Sequence, residues 1–166
     1  MKIDAKSTLW DRLRTHKGTV NPQGGNHRRS VFRRHFGRAL LNGEYLSKDI
    51  SRTWGDGSTT KKDVREIEKP LEIEVNKHIR RMPFLWLKVD DPPGPNSLRG
   101  HIERNAIGRL SNYRRQPRID PPSENWLGNW SDKIAIQECG LWNVYHVDEE
   151  YDPQFLEDLG QLIEFM

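Results

Sequence analysis

The sequence predicts an α+β domain, for three reasons. Four stretches carry apolar residues at the three- and four-residue spacing of amphipathic helices. Two short apolar runs favour extended structure: MPFLWLKV at 82–89 is predicted as a strand, and LWNVYHV at 141–147 as a strand or an extended segment. These elements do not follow the regular strand–helix alternation that builds a parallel sheet, so an α+β arrangement is expected.

The first predicted helix runs from about Leu9 to Lys17. Thr8 and Asp11 have the spacing of a capping box, with Asp in place of the usual Glu, and Gly18 is the expected stop. A loop rich in Pro and Gly follows at 19–27. The basic segment 27–41 fits either a helix or a strand followed by a helix, because its apolar period is ambiguous.

The central elements begin with a helical pattern over 61–81, which Pro70 is expected to split into two helices. The run 82–89 is then predicted as a buried strand. After a Pro-rich loop, a helix is expected from about 97 to 113, capped by Asn96 or Ser97.

The C-terminal elements are two further helices. A short one is predicted over 131–139, ended by Gly140, and Asp152 and Pro153 are expected to start the last one. The predicted inward face of this last helix holds Phe155, Leu156, Leu159, Leu162 and Ile163.

Charge is strongly segregated along the 166 residues. The net charge is +3, but 26 Lys and Arg stand against 13 Asp and Glu up to Arg118, and one against 11 from Ile119 onward. This asymmetry favours a polyanionic partner such as nucleic acid, although the acidic tail could instead pack beside the basic part and neutralise it. Cys139 is the single cysteine, which excludes an intramolecular disulfide and a Cys-based zinc cluster. With no apolar run of membrane-spanning length and no signal peptide, a cytoplasmic location is expected.

The segment 97–113 poses a question about Glu103. Drawn at about 100° per residue, its apolar residues cover an arc of roughly 180°, and Glu103 falls inside that arc. A carboxylate facing a core costs several kcal/mol unless it is paired, protonated or bound to a metal. Two explanations are open: an ion pair with Arg99, one turn earlier, or a metal site.

Arg12 and His16 lie four residues apart, on one edge of the apolar stripe of the first helix. A guanidinium binds phosphate oxygens in a bidentate manner, so this pair is suited to holding an anion. The alternative is a basic helix whose cations are simply solvated.

The pattern L-x-x-R-L-x-x-H at 9–16 resembles the segment after the second signature strand in GIY-YIG nucleases, where the helix Arg contacts the scissile phosphate. The helix containing IERNAIGRLSNY at 102–113 is similar to the later family helix whose Glu binds the single divalent metal ion. The resemblance implies catalytic roles for Arg12 and His16, metal binding by Glu103, and a match of Asn112 to the family's Asn.

The resemblance also implies a small antiparallel sheet flanked by helices, with a core at about 1–118 and a helical or extended, acidic, Trp-rich extension at about 119–166 of one domain. The implied activity is DNA-directed endonuclease action with Mg²⁺ or Mn²⁺. The family's two tyrosine-bearing strands have no counterpart in MKIDAKS at 1–7. We therefore expect an N-terminally truncated or catalytically impaired member. The alternatives are a non-catalytic nucleic-acid-binding module, or an interaction protein that forms homo-oligomers through its opposite charges.

A basic block at 27–38 interleaves cations with two phenylalanines. Its charges favour DNA contact, and the aromatic rings could stack on bases or pack in the core. The alternative is a solvated basic helix. The predicted nucleic-acid-binding residues are Arg28, Arg29, Arg33, Arg34 and Arg38.

Overall fold

The computed structural model describes residues 8–21, 24–43, 48–55, 61–92, 94 and 96–165. Within these residues the chain is helical, and its only β-type pairing is an isolated antiparallel bridge between Thr19 and Gly24. None of the helices described is long and apolar enough to cross a membrane. The α-helices are α1 (Leu9–Lys17), α2 (Val31–Gly43), α3 (Lys48–Thr53), α4 (Lys62–Arg81), α5 (Leu98–Leu110), α6 (Ile134–Cys139) and α7 (Gln154–Glu164), and the 3-10 helices are His27–Arg29 and Leu127–Trp130.

The predicted α+β class, with its small antiparallel sheet, is therefore wrong for the described residues. The run 82–89 leaves α4 without a partner strand, and 141–147 forms bends and turns. The physical reason is that a strand is stable only when its backbone pairs with another strand, and an apolar composition alone does not supply one. The pattern identified apolar segments but not their pairing.

Helix α1 begins and ends where the sequence predicts. The backbone N–H of Asp11 donates to the Thr8 hydroxyl at 3.2 Å, and the Asp11 carboxylate accepts from the Thr8 N–H at 3.0 Å, which completes the capping box. Gly18 ends the helix at a φ of 67°, where a Cβ atom would lie 2.2 Å from the carbonyl oxygen of Gly24. Glycine is thus required by both backbone conformation and space.

The main core lies between α2, α3 and α4. Helix α4 is continuous through Pro70, so the expected split into two helices is wrong. Pro70 lies on the exposed side of the helix, while Leu71 and Val75 pack in the core just after it. This packing offsets the hydrogen bond that proline removes. The core cluster consists of Phe36, Leu40, Leu41, Ile50, Trp54, Leu71, Val75 and Ile79.

The C-terminal part packs onto α2 through aromatic rings. Trp142 lies 5.0 Å from Phe36 and 5.4 Å from Trp126, measured between ring centroids. Helix α6 ends at Gly140, as predicted, with a left-handed φ of 76°.

Helix α7 begins just after Asp152 and Pro153, as predicted, and packs against α5. Its predicted inward face is only partly correct. Phe155 is buried, but Leu156 and Ile163 are exposed.

Candidate functional site

A buried ion pair links α2 to α4. Arg33 is fully buried, and its Nη2 and Nε donate to Glu72 Oε2 at 2.6 and 3.1 Å. Its remaining donors reach the carbonyl oxygens of Glu72 and His16 and the side-chain oxygen of Asn76, at 3.0, 2.9 and 3.4 Å. All five guanidinium hydrogens therefore have an acceptor, as a buried charge requires.

His27 completes the surroundings of Glu72. Its backbone N–H and its Nδ1 lie 2.6 and 3.0 Å from Glu72 Oε1, while the Gly55 N–H donates to Nε2 at 3.2 Å. Since Nε2 accepts a hydrogen bond, Nδ1 carries the ring proton. The ring also stacks on Trp54 at 3.9 Å. Burial raises the pKa of Glu72, but the hydrogen bonds from His27 and the charge of Arg33 outweigh it and lower the pKa overall.

This network holds His16 in position from two sides. The His16 carbonyl accepts from Arg33, and its Nδ1 lies 2.7 Å from the Ser30 hydroxyl. Ser30 Oγ also accepts from the Arg33 backbone N–H at 3.1 Å, so the hydroxyl proton is free to point at His16. Burial lowers the pKa of His16, and the charges of Arg12 and Arg33 lower it further.

An open cavity of about 340 Å³ lies over this arrangement. Its lining includes Arg12, His16, Arg29 and Ser30. Arg12 and Arg29 are exposed, and neither side chain bonds to any described residue. Asp11 also lines the cavity, but its carboxylate is bound by Thr8 and Arg14. Two exposed cations that bond to no described residue, beside an imidazole whose pKa is lowered, favour an anionic ligand such as a phosphate group.

The basic block divides into bound and open cations. Arg28 makes a bidentate ion pair with Glu68 at 2.6 and 2.9 Å, and Arg38 donates to the backbone carbonyls of Ser51 and Trp54. The DNA contact predicted for Arg33 is wrong, because this side chain is buried and fully bonded inside the protein.

Two cations of the block are left for an external anion. Arg29 is exposed and Arg34 half-buried, and neither side chain bonds to another described residue. The phenylalanines pack internally, since Phe32 contacts Phe36 and the His16 ring at 6.0 and 5.9 Å between centroids. These rings do not offer a surface for bases.

Glu103 does not face a core, so the inward orientation expected from the helical arc is wrong. Its side chain is exposed on α5 and makes no hydrogen bond or ion pair within the described part of the chain. An ion pair with Arg99, one of the two explanations left open for Glu103, is also wrong, since Arg99 binds Asp91 at 2.6 Å. The buried positions of α5 are Asn105 and Gly108.

The physical reason is that small and polar residues, not the apolar arc, set the contact of α5 with the loop before α7. Asn105 Oδ1 accepts from the Asp152 N–H at 2.7 Å. At Gly108 a Cβ atom would lie 2.8 Å from the Glu149 carbonyl oxygen. The close approach at these two residues turns the face bearing Glu103 outward.

Glu103 lines a different cavity from Arg12 and His16. This cavity, of about 550 Å³, also contains His101, His146 and Asp158. Asp158 lies 3.6 Å from His101, and His146 is bound to Glu149 at 2.6 Å. Among the described residues, no group of three or more His, Cys, Asp or Glu side chains is placed to hold a metal ion. A single free carboxylate fits a Mg²⁺ ion that takes its other ligands from water and a substrate phosphate.

Asn112 has a structural environment. It is buried, its Oδ1 accepts from the Ile119 N–H at 2.8 Å, and its Nδ2 donates to the Asp120 carbonyl at 2.8 Å. Its backbone N–H also donates to the Cys139 carbonyl. The side chain therefore connects the end of α5 to the loop that leads into the C-terminal part.

Sequence reasoning missed the α4 side of the network. Glu68, Glu72 and Asn76 follow one another at four-residue spacing, so they form one polar line along α4. The line runs beside the apolar line of Leu71, Val75 and Ile79. The carboxylates next to the buried face of this helix, together with the arginines at 28 and 33, were the sequence signal that could have indicated these ion pairs.

The model of the GIY-YIG domain family matches residues 1–166. No curated protein and no solved structure matches the chain significantly. The family match covers both segments that carry the resemblance, 9–16 and 102–113, and so confirms it. The chain belongs to the GIY-YIG domain family.

Proposed function

We propose that this chain is a DNA-directed endonuclease domain that hydrolyses phosphodiester bonds with Mg²⁺ or Mn²⁺. Family membership supports the reaction class. The observation that carries the proposal is the open cavity on α1, where the Arg12 side chain bonds to no described residue and His16 is fixed by Ser30 and the Arg33 network. An exposed guanidinium that bonds to no described residue can bind phosphate oxygens in a bidentate manner.

In the proposed site, Arg12 binds the scissile phosphate and offsets the charge that develops on its oxygens. Burial, followed by the charges of Arg12 and Arg33, lowers the pKa of His16 and so favours the neutral imidazole. When His16 Nδ1 accepts a hydrogen bond from the Ser30 hydroxyl, the ring proton lies on Nε2. Nε2–H can then donate a hydrogen bond to the same phosphate. Arg29 and Arg34 extend the cationic surface for neighbouring phosphates.

Glu103 is the proposed ligand for the divalent ion. When bound, the ion polarises the phosphate and stabilises the leaving oxygen. Because this one carboxylate provides a weak site alone, we expect ion binding to depend on a DNA phosphate that supplies a further ligand. Asn112 is proposed as a positioning residue at the end of α5.

A non-catalytic nucleic-acid-binding module is the second candidate. It is favoured by the separation of Glu103 from the cavity of Arg12 and His16. This module would keep the basic surface and its salt-dependent affinity, and Glu103 would have no role in it.

Plasmid nicking distinguishes the two candidates. The chain is incubated with supercoiled DNA in Mg²⁺, in Mn²⁺ and in EDTA, alongside Glu103→Ala and, as a control, the exposed Glu164→Ala of α7. An endonuclease nicks with either metal, stops in EDTA, loses nicking in Glu103→Ala and keeps it in Glu164→Ala. Nicking that persists in Glu103→Ala contradicts the proposed metal ligand. DNA binding without nicking by the unaltered chain supports the second candidate.

A further inference from the structure

A second open cavity lies beside the α1 cavity, which is the one lined by Arg12 and His16. We call it the α4 cavity; its volume is about 460 Å³, and it lies between α1, the 3-10 helix His27–Arg29 and the first part of α4. Thr15 and Arg29 line both cavities. A ligand that extends from the α1 cavity past Arg29 therefore enters the α4 cavity.

The carboxylates that line the α4 cavity each have a cationic partner within the protein. The three pairs are Glu68 with Arg28, Glu72 with Arg33 and Glu66 with Lys69, at 2.6, 2.6 and 3.7 Å. The first two pairs are buried, whereas Glu66 and Lys69 are exposed. A metal ion would have to displace one of these partners, so the lining does not favour a cation as the ligand.

Two cations of the lining are left over when these pairs are set aside. Arg29 and Arg65 are exposed, and neither side chain bonds to a described residue. Arg14 also lines the cavity, but it is paired with Asp11. The described lining thus has an excess of two positive charges. Because a guanidinium binds phosphate oxygens in a bidentate manner, this surface favours a phosphate group as the ligand.

The arrangement of the arginines favours a chain of phosphates over a single one. Arg12 lies in the α1 cavity, Arg65 in the α4 cavity, and Arg29 at the border that the two cavities share. One phosphate group cannot occupy both cavities, whereas neighbouring phosphates of one DNA backbone can. Each phosphate that is neutralised in this way releases counterions and so adds to the affinity.

We propose that the α4 cavity is a second phosphate subsite, in which Arg65 binds a DNA phosphate that neighbours the one held by Arg12, with Arg29 between the two. The DNA strand then runs from α1 across the 3-10 helix toward the start of α4. This inference rests on the proposed function, because it takes DNA as the ligand of the α1 cavity. It adds a contact residue, Arg65, and a direction for the bound strand.

The salt dependence of affinity for a short, fluorescently labelled DNA duplex tests the subsite. Arg65→Ala should lower the slope of log affinity against log salt by about 0.9, because one phosphate contact is lost, and Arg65→Lys should keep the slope. Arg81→Ala is the matched control and should also keep it. Arg81 is exposed on the same helix, bonds to no described residue and lines neither cavity. An unchanged slope in Arg65→Ala, or an equal decrease in Arg81→Ala, overturns the proposal.

The double variant Arg12→Ala/Arg65→Ala tests whether the two arginines bind separate phosphates. Independent contacts are additive, so the slope should fall by about 1.8. A decrease no larger than that of one single variant would mean that both arginines bind the same phosphate, and it would overturn the second subsite.

The single variants separate a failure of this proposal from a failure of the proposed function. A decrease in Arg12→Ala but not in Arg65→Ala keeps the phosphate site on α1 and overturns the subsite on α4. A decrease in Arg65→Ala but not in Arg12→Ala keeps the α4 cavity as a phosphate subsite and contradicts the phosphate site on α1. An unaltered chain without affinity for DNA contradicts both.

Discussion

Glu72→Gln should be among the most destabilising conservative substitutions in this protein. Glu72 accepts four hydrogen bonds, two from His27 and two from the fully buried Arg33. Glutamine keeps one oxygen but turns an N–H₂ group toward one of these donors. The change also leaves the Arg33 charge buried without a counter-ion, which costs about 3–5 kcal/mol. Against a total stability of about 5–15 kcal/mol for a domain, that is a large fraction.

Urea unfolding followed by tryptophan fluorescence measures this cost, with Trp54 beside His27 as a local reporter. Glu74→Gln is the matched control, because its ion pair with Lys77 lies at the surface of the same helix and should contribute about 0–1 kcal/mol. Adding Arg33→Met to Glu72→Gln removes the stranded charge and should recover part of the loss. If Glu72→Gln is as stable as Glu74→Gln, the network does not hold α2 against α4 as described.

Two further predictions concern pH and glycine packing. Burial, foremost, lowers the pKa of His16 and His35 below the ordinary 6.5, so the unfolded chain takes up protons first as pH falls. The contribution of these two histidines to the free energy of unfolding should therefore be complete above pH 6.5 and decrease as the pH falls below that value. The double variant His16→Gln/His35→Gln should show a smaller decrease, and an equally steep decrease in the variant contradicts the prediction. Gly25→Ala should cost about 1–3 kcal/mol, because its Cβ would lie 2.2 Å from the Arg33 guanidinium carbon. Gly160→Ala, in an open part of α7, should instead stabilise the protein by about 0.5–1 kcal/mol. Thermal unfolding measures both variants, and a shift of their two unfolding temperatures in the same direction would refute the packing argument.

The sequence predicted the ends of the helices well where a capping residue or a glycine marks them. Thr8, Asp11 and Gly18 define α1, and Gly140 ends α6, because caps act within one turn. The effect of Pro70 was misjudged because the free-energy cost of a proline inside a helix is smaller than the stabilisation from the core packing around it. The sheet was misjudged because strand pairing is a long-range property that no local pattern contains.

The site was only half predictable for the same reason. Arg12 and His16 share one helix, so their spacing placed them together, and the structure keeps them on one cavity. Glu103 was assigned an inward face from apolar periodicity, but the close contacts at Asn105 and Gly108 decide how α5 rotates. Contacts between distant elements, such as Arg33 with Glu72, cannot be read from spacing along one helix.

The salt dependence of DNA affinity for Arg12→Ala tests the central claim most directly, with Arg14→Ala as control on the same helix because Arg14 is already paired with Asp11. If the α1 cavity holds a DNA phosphate, Arg12→Ala weakens binding and lowers the slope of log affinity against log salt by about 0.9, while Arg14→Ala leaves both nearly unchanged. An Arg12→Ala protein with the affinity and slope of the unaltered chain would contradict the assignment of this cavity as the phosphate site.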